Sequence, residues 1–225
     1  MLKKLLLILG LLLLPTLAFG ADPGSWDLLD EDCSDISDWA DNDIGDGVSQ
    51  VDPAGQFDFD SVSGSSDQAS RNRDVGEIPT SYTVEIKAYH DSLGTHANLD
   101  VLIFQTARAG QQLNVRFASD GMFITDGASF SEVGTDIVAT GEWIIWRILV
   151  DVTGGDASAT CDVYKNSSLI ASSIDCSQTG TYTDGLTNLV SLGATTQVQN
   201  HFDYVKIASG LYAPSGDVRR IISCM

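Results

Sequence analysis

Acid–base chemistry needs paired carboxylates, or an imidazole held by a carboxylate, and this chain has both residue types. Its 225 residues include 31 Asp and Glu, 12 Lys and Arg, and 3 His. Asp58 and Asp60 alternate with Phe57 and Phe59, so a strand would place both carboxylates on one face. Two carboxylates can act on one bond as acid and nucleophile, or as acid and base. This pair has no third partner close in sequence, and a solvated strand face accounts for it. Glu85 is followed by Lys87 rather than by further acids. His90 ends an alternating segment, His96 falls in a loop, and Arg116 and Tyr204 belong to separate segments. These four groups could meet only through the fold. No Gly-x-Ser-x-Gly elbow and no Gly-x-x-x-x-Gly-Lys-Ser/Thr phosphate loop occurs. No Cys-x-x-Cys spacing supports a zinc or thioredoxin-type site. Asn166-Ser167-Ser168 matches a glycosylation sequon but reads most simply as a turn.

The segments that must position these groups alternate with period two. Ile144, Trp146, Ile148, Val150 and Val152 form one apolar face of a strand over 142–152. A hairpin over 161–171 follows, bent at Asn166-Ser167. Segment 81–90 points Tyr82, Val84, Ile86 and Ala88 one way, and Thr83, Glu85, Lys87 and Tyr89 the other. Segment 99–107 is nearly continuously apolar, as a central strand would be. In 112–119, Leu113, Val115 and Phe117 face inward, with Asn114 and Arg116 outward. Shorter strands are predicted at 27–33, 48–51, 56–62, 122–125, 131–133, 186–194 and 201–208, and the Ser/Gly/Asp-rich 63–72 as a loop. No part of the mature chain has convincing helical periodicity. Many short strands between Gly/Asp turns predict an all-β, antiparallel two-sheet sandwich.

Residues 1–20 read as a cleaved signal peptide. Lys3 and Lys4 precede an apolar run, then Pro15 and a small-x-small site at Ala18-Phe19-Gly20. The run is too short to span a bilayer, so no membrane insertion is expected after cleavage, and the protein should be secreted or periplasmic in a bacterium. Residues 21–213 form the sandwich domain and 214–225 a tail. The formal net charge of −19 repels phosphate backbones and excludes nucleic acid as a partner. Export permits disulfides among Cys33, Cys161, Cys176 and Cys224. Cys161 and Cys176 flank one hairpin and are the favoured pair, leaving Cys33 to bond Cys224 or stay free.

Trp143-x-x-x-Arg147, then Cys161-Asp-Val-Tyr-x-Asn-x-x-Leu-Ile-Ala171, then His201-Phe-Asp-Tyr-Val-Lys-Ile-Ala208, resembles the closing strands of concanavalin A-like lectin/glucanase jelly rolls. These include the laminin G-like and 3-keto-disaccharide hydrolase-like domains of bacterial exported proteins. The hairpin departs from that pattern, with Asn166-Ser167-Ser168 where Asn-Gly is usual. The resemblance implies a jelly roll whose last strand returns beside the first. It also implies a structural Ca2+ where those strands meet, for which Asp30 or Asp32 with Asp203 would be ligands. The glucanase Glu-x-Asp-x-x-Glu and the alginate-lyase strand motifs are absent. The expectation is therefore a non-catalytic carbohydrate-binding domain for a polysaccharide or glycan. The alternatives are a hydrolase or lyase of the same fold, or a structural component of the cell surface. By strand parity the binding residues are Trp143, Arg147, Tyr89, Glu85, Arg116 and Asn114, which form a groove if their strands share one sheet face.

Overall fold

The computed structural model describes residues 22–61, 67–126, 129–135 and 137–215. The signal segment, Cys224 and most of the expected tail lie outside them. Sixteen strands occur among the described residues. In chain order they are β1 (Leu29–Glu31), β2 (Ala40–Asp41), β3 (Val48–Val51), β4 (Phe57–Ser61), β5 (Gln68–Asp74), β6 (Ser81–Ser92), β7 (Asp100–Arg108) and β8 (Gln111–Ala118). They continue with β9 (Gly121–Thr125), β10 (Phe130–Gly134), β11 (Trp143–Asp151), β12 (Thr160–Lys165), β13 (Ser168–Asp175), β14 (Gln178–Thr179), β15 (Leu186–Gly193) and β16 (Val198–Ser209). The only helical turns described are two short 3-10 segments, His96–Asn98 and Asp156–Ser158.

Two antiparallel sheets result, as the alternation predicts. The first runs β13-β12-β11-β6-β16-β4-β3, with β1 also paired to β16. The second runs β10-β9-β8-β7-β15-β5-β2, with β14 on β8. Their inner faces make one core. Trp146, Ile86 and Phe202 from the first sheet meet Phe104, Phe117 and Leu189 from the second, all essentially inaccessible. Trp146 and Phe117 lie 5.1 Å apart across the interface between sheets. The first strand does return beside the last, pairing Leu29 with Ile207.

Cys161 and Cys176 are joined, as favoured from their flanking positions. Cys33 is buried and free. Burial, then the nearby Glu31 carboxylate, push its thiol pKa well up, so it is unreactive. The hairpin turn places Asn166 and Ser167 at φ 48° and 67°, the positive values a tight type I′ turn requires. The Asn166 side-chain oxygen accepts a hydrogen bond from the Ile145 N–H at 2.9 Å, tying the turn to β11.

The expected loop 63–72 is corrected in part. From Gln68 onward the chain is strand β5, paired along its length with β15. Its polar composition conceals this, because only Ala69 of its inward positions is a core residue. Arg71 and Arg73 instead reach Ser49 and Glu31 on the opposite sheet, closing the sandwich edge with hydrogen bonds and ion pairs.

Candidate functional site

Strand parity places Trp143, Tyr89, Glu85 and Arg147 together on the outer face of the first sheet. Arg116 and Asn114 project from β8, in the other sheet. The expected six-residue groove is thereby split, because β11 pairs with β6 and β12 in one sheet while β8 belongs to the other. On the first sheet, one register row crosses five strands: Trp143 opposite Tyr89, Tyr89 opposite His201, His201 opposite Asp58, and Asp58 opposite Gln50. At about 4.8 Å per strand, the row is roughly 19 Å long. The Trp143 and Tyr89 rings are 5.4 Å apart, and the Tyr89 and His201 rings 6.1 Å apart. All three are partly exposed.

Polar groups flank this aromatic run. His201 donates from Nε2 to Asp91 Oδ2 at 2.6 Å, and its Nδ1 lies 3.5 Å from Asp58 Oδ1. Gln50 and Gln199 amides donate to the Asp58 carboxylate. Lys87 Nζ sits 5.3 Å from the Trp143 ring centre and donates to Asp203 Oδ2 at 2.8 Å. Asp203 reaches this face because the β16–β6 register shifts between Phe202 and Tyr204, and the extra residue of such a bulge re-aims a side chain.

The next part of the face is closed. Arg147 donates from Nε to Glu85 Oε2 at 2.5 Å and from Nη2 to Asp22 Oδ1 at 2.7 Å. Its guanidinium lies 5.7 Å from the Trp26 ring centre. Tyr204 donates to the other Glu85 oxygen at 2.9 Å, and burial, then the Glu85 charge, raise its phenol pKa. Glu85 and Arg147 are 8% and 6% exposed. They are a buried, neutralised pair under the N-terminal segment and are not free to meet a ligand, which corrects their expected binding role.

The calcium ligands expected from the resemblance do not converge. Asp203 faces Lys87, and Asp30 faces Lys206 Nζ at 2.9 Å. Asp32 accepts a local hydrogen bond from the Ser34 N–H. No three His, Cys, Asp or Glu side chains gather as a metal site among the described residues. Lysine ammoniums stand beside two of the three carboxylates.

Of His90, His96, Arg116 and Tyr204, only His96 and Arg116 come together. His90 lies between the sheets, fully buried, donating from Nδ1 to Asn200 Oδ1 at 2.6 Å. Asn200 in turn donates to Ser191 Oγ on the second sheet at 2.7 Å. Burial lowers the His90 pKa to about 4. His96 and Arg116 meet on the outer face of the second sheet. There His96 stacks on Phe123 at 4.1 Å, and Arg116 lies 3.8 Å from the Phe130 ring centre.

Sequence reasoning missed His201 and Asp58 as members of the row, and Lys87 and Asp91 as the polar groups beside it. Parity alone marked Lys87 as outward beside Tyr89. The adjacency of His201 to Tyr89 depends on β16 pairing with β6, strands more than a hundred residues apart in the chain.

No family model matches the chain, and no curated protein matches it. Solved structures do. One, from work on prominent members of the human gut microbiota that express endo-acting O-glycanases to initiate mucin breakdown, is similar with a TM-score of 0.56 and 11% identity, covering 81% of this chain and 98% of that one. The cellulose-induced protein Cip1 is similar with a TM-score of 0.54 and 12% identity over 80% of this chain and 97% of its own. The receptor-binding domain of botulinum neurotoxin D gives a TM-score of 0.54 and 14% identity, over 83% of this chain and 48% of that one. At such identities the likeness establishes architecture. The chain is an antiparallel two-sheet sandwich of the jelly-roll type.

Proposed function

We propose that this is an exported, non-catalytic carbohydrate-binding domain that takes its glycan along the Trp143–Tyr89–His201 row. The contiguous rings on three neighbouring strands carry the reading. Pyranose faces are apolar patches that stack on aromatic rings, while hydroxyls need donors and acceptors at the edges. Lys87, Asp203 and Gln50 supply both beside the row. The relatives in fold support a glycan ligand through what is said of them, and the disulfide supports export. A glycan array on the purified domain tests the reading. Binding should occur without release of reducing ends, and Trp143→Ala should weaken it. An array with no hits, or binding indifferent to Trp143→Ala, sinks it.

One observation favours a second reading, a hydrolase or lyase. His201 stands between the carboxylates of Asp91 and Asp58 beside the Tyr89 ring, and an imidazole so held can move protons. Release of reducing ends or unsaturated uronates that stops in His201→Ala, in a folded variant, would establish it.

A further inference from the structure

We propose that Arg116 anchors a second site, on the outer face of the second sheet, that takes the carboxylate of an acidic glycan. This goes beyond the reading above, since it concerns the opposite face and a ligand of defined charge. The pairing of charges singles this residue out. Every other lysine and arginine among the described residues has a carboxylate at ion-pair distance, from Arg71 on Asp41 to Lys206 on Asp30. Among the described residues Arg116 has none, in a chain where acids outnumber bases 31 to 12.

A guanidinium offers five N–H donors in a planar fork. One Arg116 donor, on Nη1, meets His96 Nε2 at 3.3 Å, and the buried Nε has no partner. Arginine cannot accept, so His96 must. Burial and then the Arg116 charge lower the His96 pKa and keep it a neutral acceptor. Arg116 is thus partly withdrawn from water without a counter-ion, the state in which an arriving carboxylate gains most from bidentate pairing.

The surroundings suit a sugar that bears this carboxylate. Phe123 and Phe130 are partly exposed walls beside the guanidinium. One register row further along, Asn114, Gln105, Asn188 and Asn72 lie opposite one another across four strands. This row of amides offers donors and acceptors to hydroxyls. Gln105, Asn188 and Asn72 are the partly exposed members of the row, and Asn114, at 6% exposure, lies beneath them. The neighbouring acids are engaged elsewhere: Asp120 accepts the His96 N–H, and Glu132 accepts from Thr135. Their charge, with the net −19, disfavours a densely sulfated polyanion and favours spaced carboxylates.

Calorimetric titration with oligomers of galacturonate, mannuronate and glucuronate, at low and high salt, tests this. At least one should bind, weaken with salt, and lose tenfold or more when its carboxylates are methyl-esterified. Arg116→Gln should lose a similar factor, Arg116→Lys less, and Trp143→Ala nothing. The ester comparison uses the unaltered protein and decides the matter even if Arg116→Gln fails to fold. Three outcomes overturn the proposal: no acidic oligomer binds, acid and ester bind alike, or a sulfated oligomer binds more tightly than the carboxylates. Loss of neutral-glycan binding in Trp143→Ala bears on the first face alone, so the two readings fail separately.

Discussion

Arg147 and Arg116 sit on the two outer faces of the same sandwich and meet opposite fates. Arg147 is buried under Trp26, with Glu85 and Asp22 on its nitrogens. Arg116 is half-buried against Phe130 with no carboxylate at ion-pair distance among the described residues. The first face has matched its charges internally and leaves exposed rings to do the binding. The second leaves its cation and part of its amide row unmatched. The difference shows why an outward charged residue does not by itself mark a site. What matters is whether its partner comes from the protein or is left to a ligand.

The largest effect should separate the faces by stability. Glu85→Ala leaves the buried Arg147 with only the exposed Asp22 carboxylate and takes the acceptor from Tyr204, and should cost about 2–3 kcal/mol. Arg116→Gln loses no ion pair and should stay within about 0.5 kcal/mol. Urea unfolding of both variants checks this, and equal costs would erase the contrast. Between the faces, His90 should make the whole sandwich acid-sensitive. Its folded pKa of about 4 lies below the unfolded value of 6.5, so the unfolded chain binds the extra proton. Stability is full above pH 6.5 and falls by about 3 kcal/mol as pH drops to about 4. The slope should flatten in His90→Gln, measured by unfolding at a series of pH values.

Smaller effects sharpen the picture of the ring row. Trp143→Ala should weaken a neutral glycan about tenfold, about 1.4 kcal/mol, whereas Phe123→Ala on the other face should leave that binding unchanged. The partly exposed Lys87–Asp203 pair should contribute only about 0.2–1 kcal/mol, read from Lys87→Met in the same urea assay. Smallest of all, a chelator should leave the melting temperature where it was. A drop would mean that the aspartates near the chain ends hold a cation after all.

Much of the fold was legible in the sequence because a strand buried on one face writes itself as alternation. The inward faces of 81–90 and 142–152 and the Cys161–Cys176 bridge follow from such local signals. Strand β5 was not legible, because Arg71 and Arg73 occupy inward positions and satisfy themselves at the sandwich edge. The site was legible only in part. Parity correctly made Trp143, Tyr89 and Lys87 outward, but it could not see that a Glu85 equally outward would be closed off by Arg147 and Tyr204.

The sequence by itself determined the sandwich, the two-sided character of its strands and the acidic surface, since each depends on residue type and a period of two. Tertiary structure alone decided which strands are neighbours. That set Trp143 beside Tyr89 and His201, sent Arg116 and Asn114 to the other sheet, and placed lysines where a calcium ion had been expected. The reason is physical. Alternation specifies which face a side chain takes, but hydrogen bonding between strands distant in the chain specifies which sheet that face belongs to.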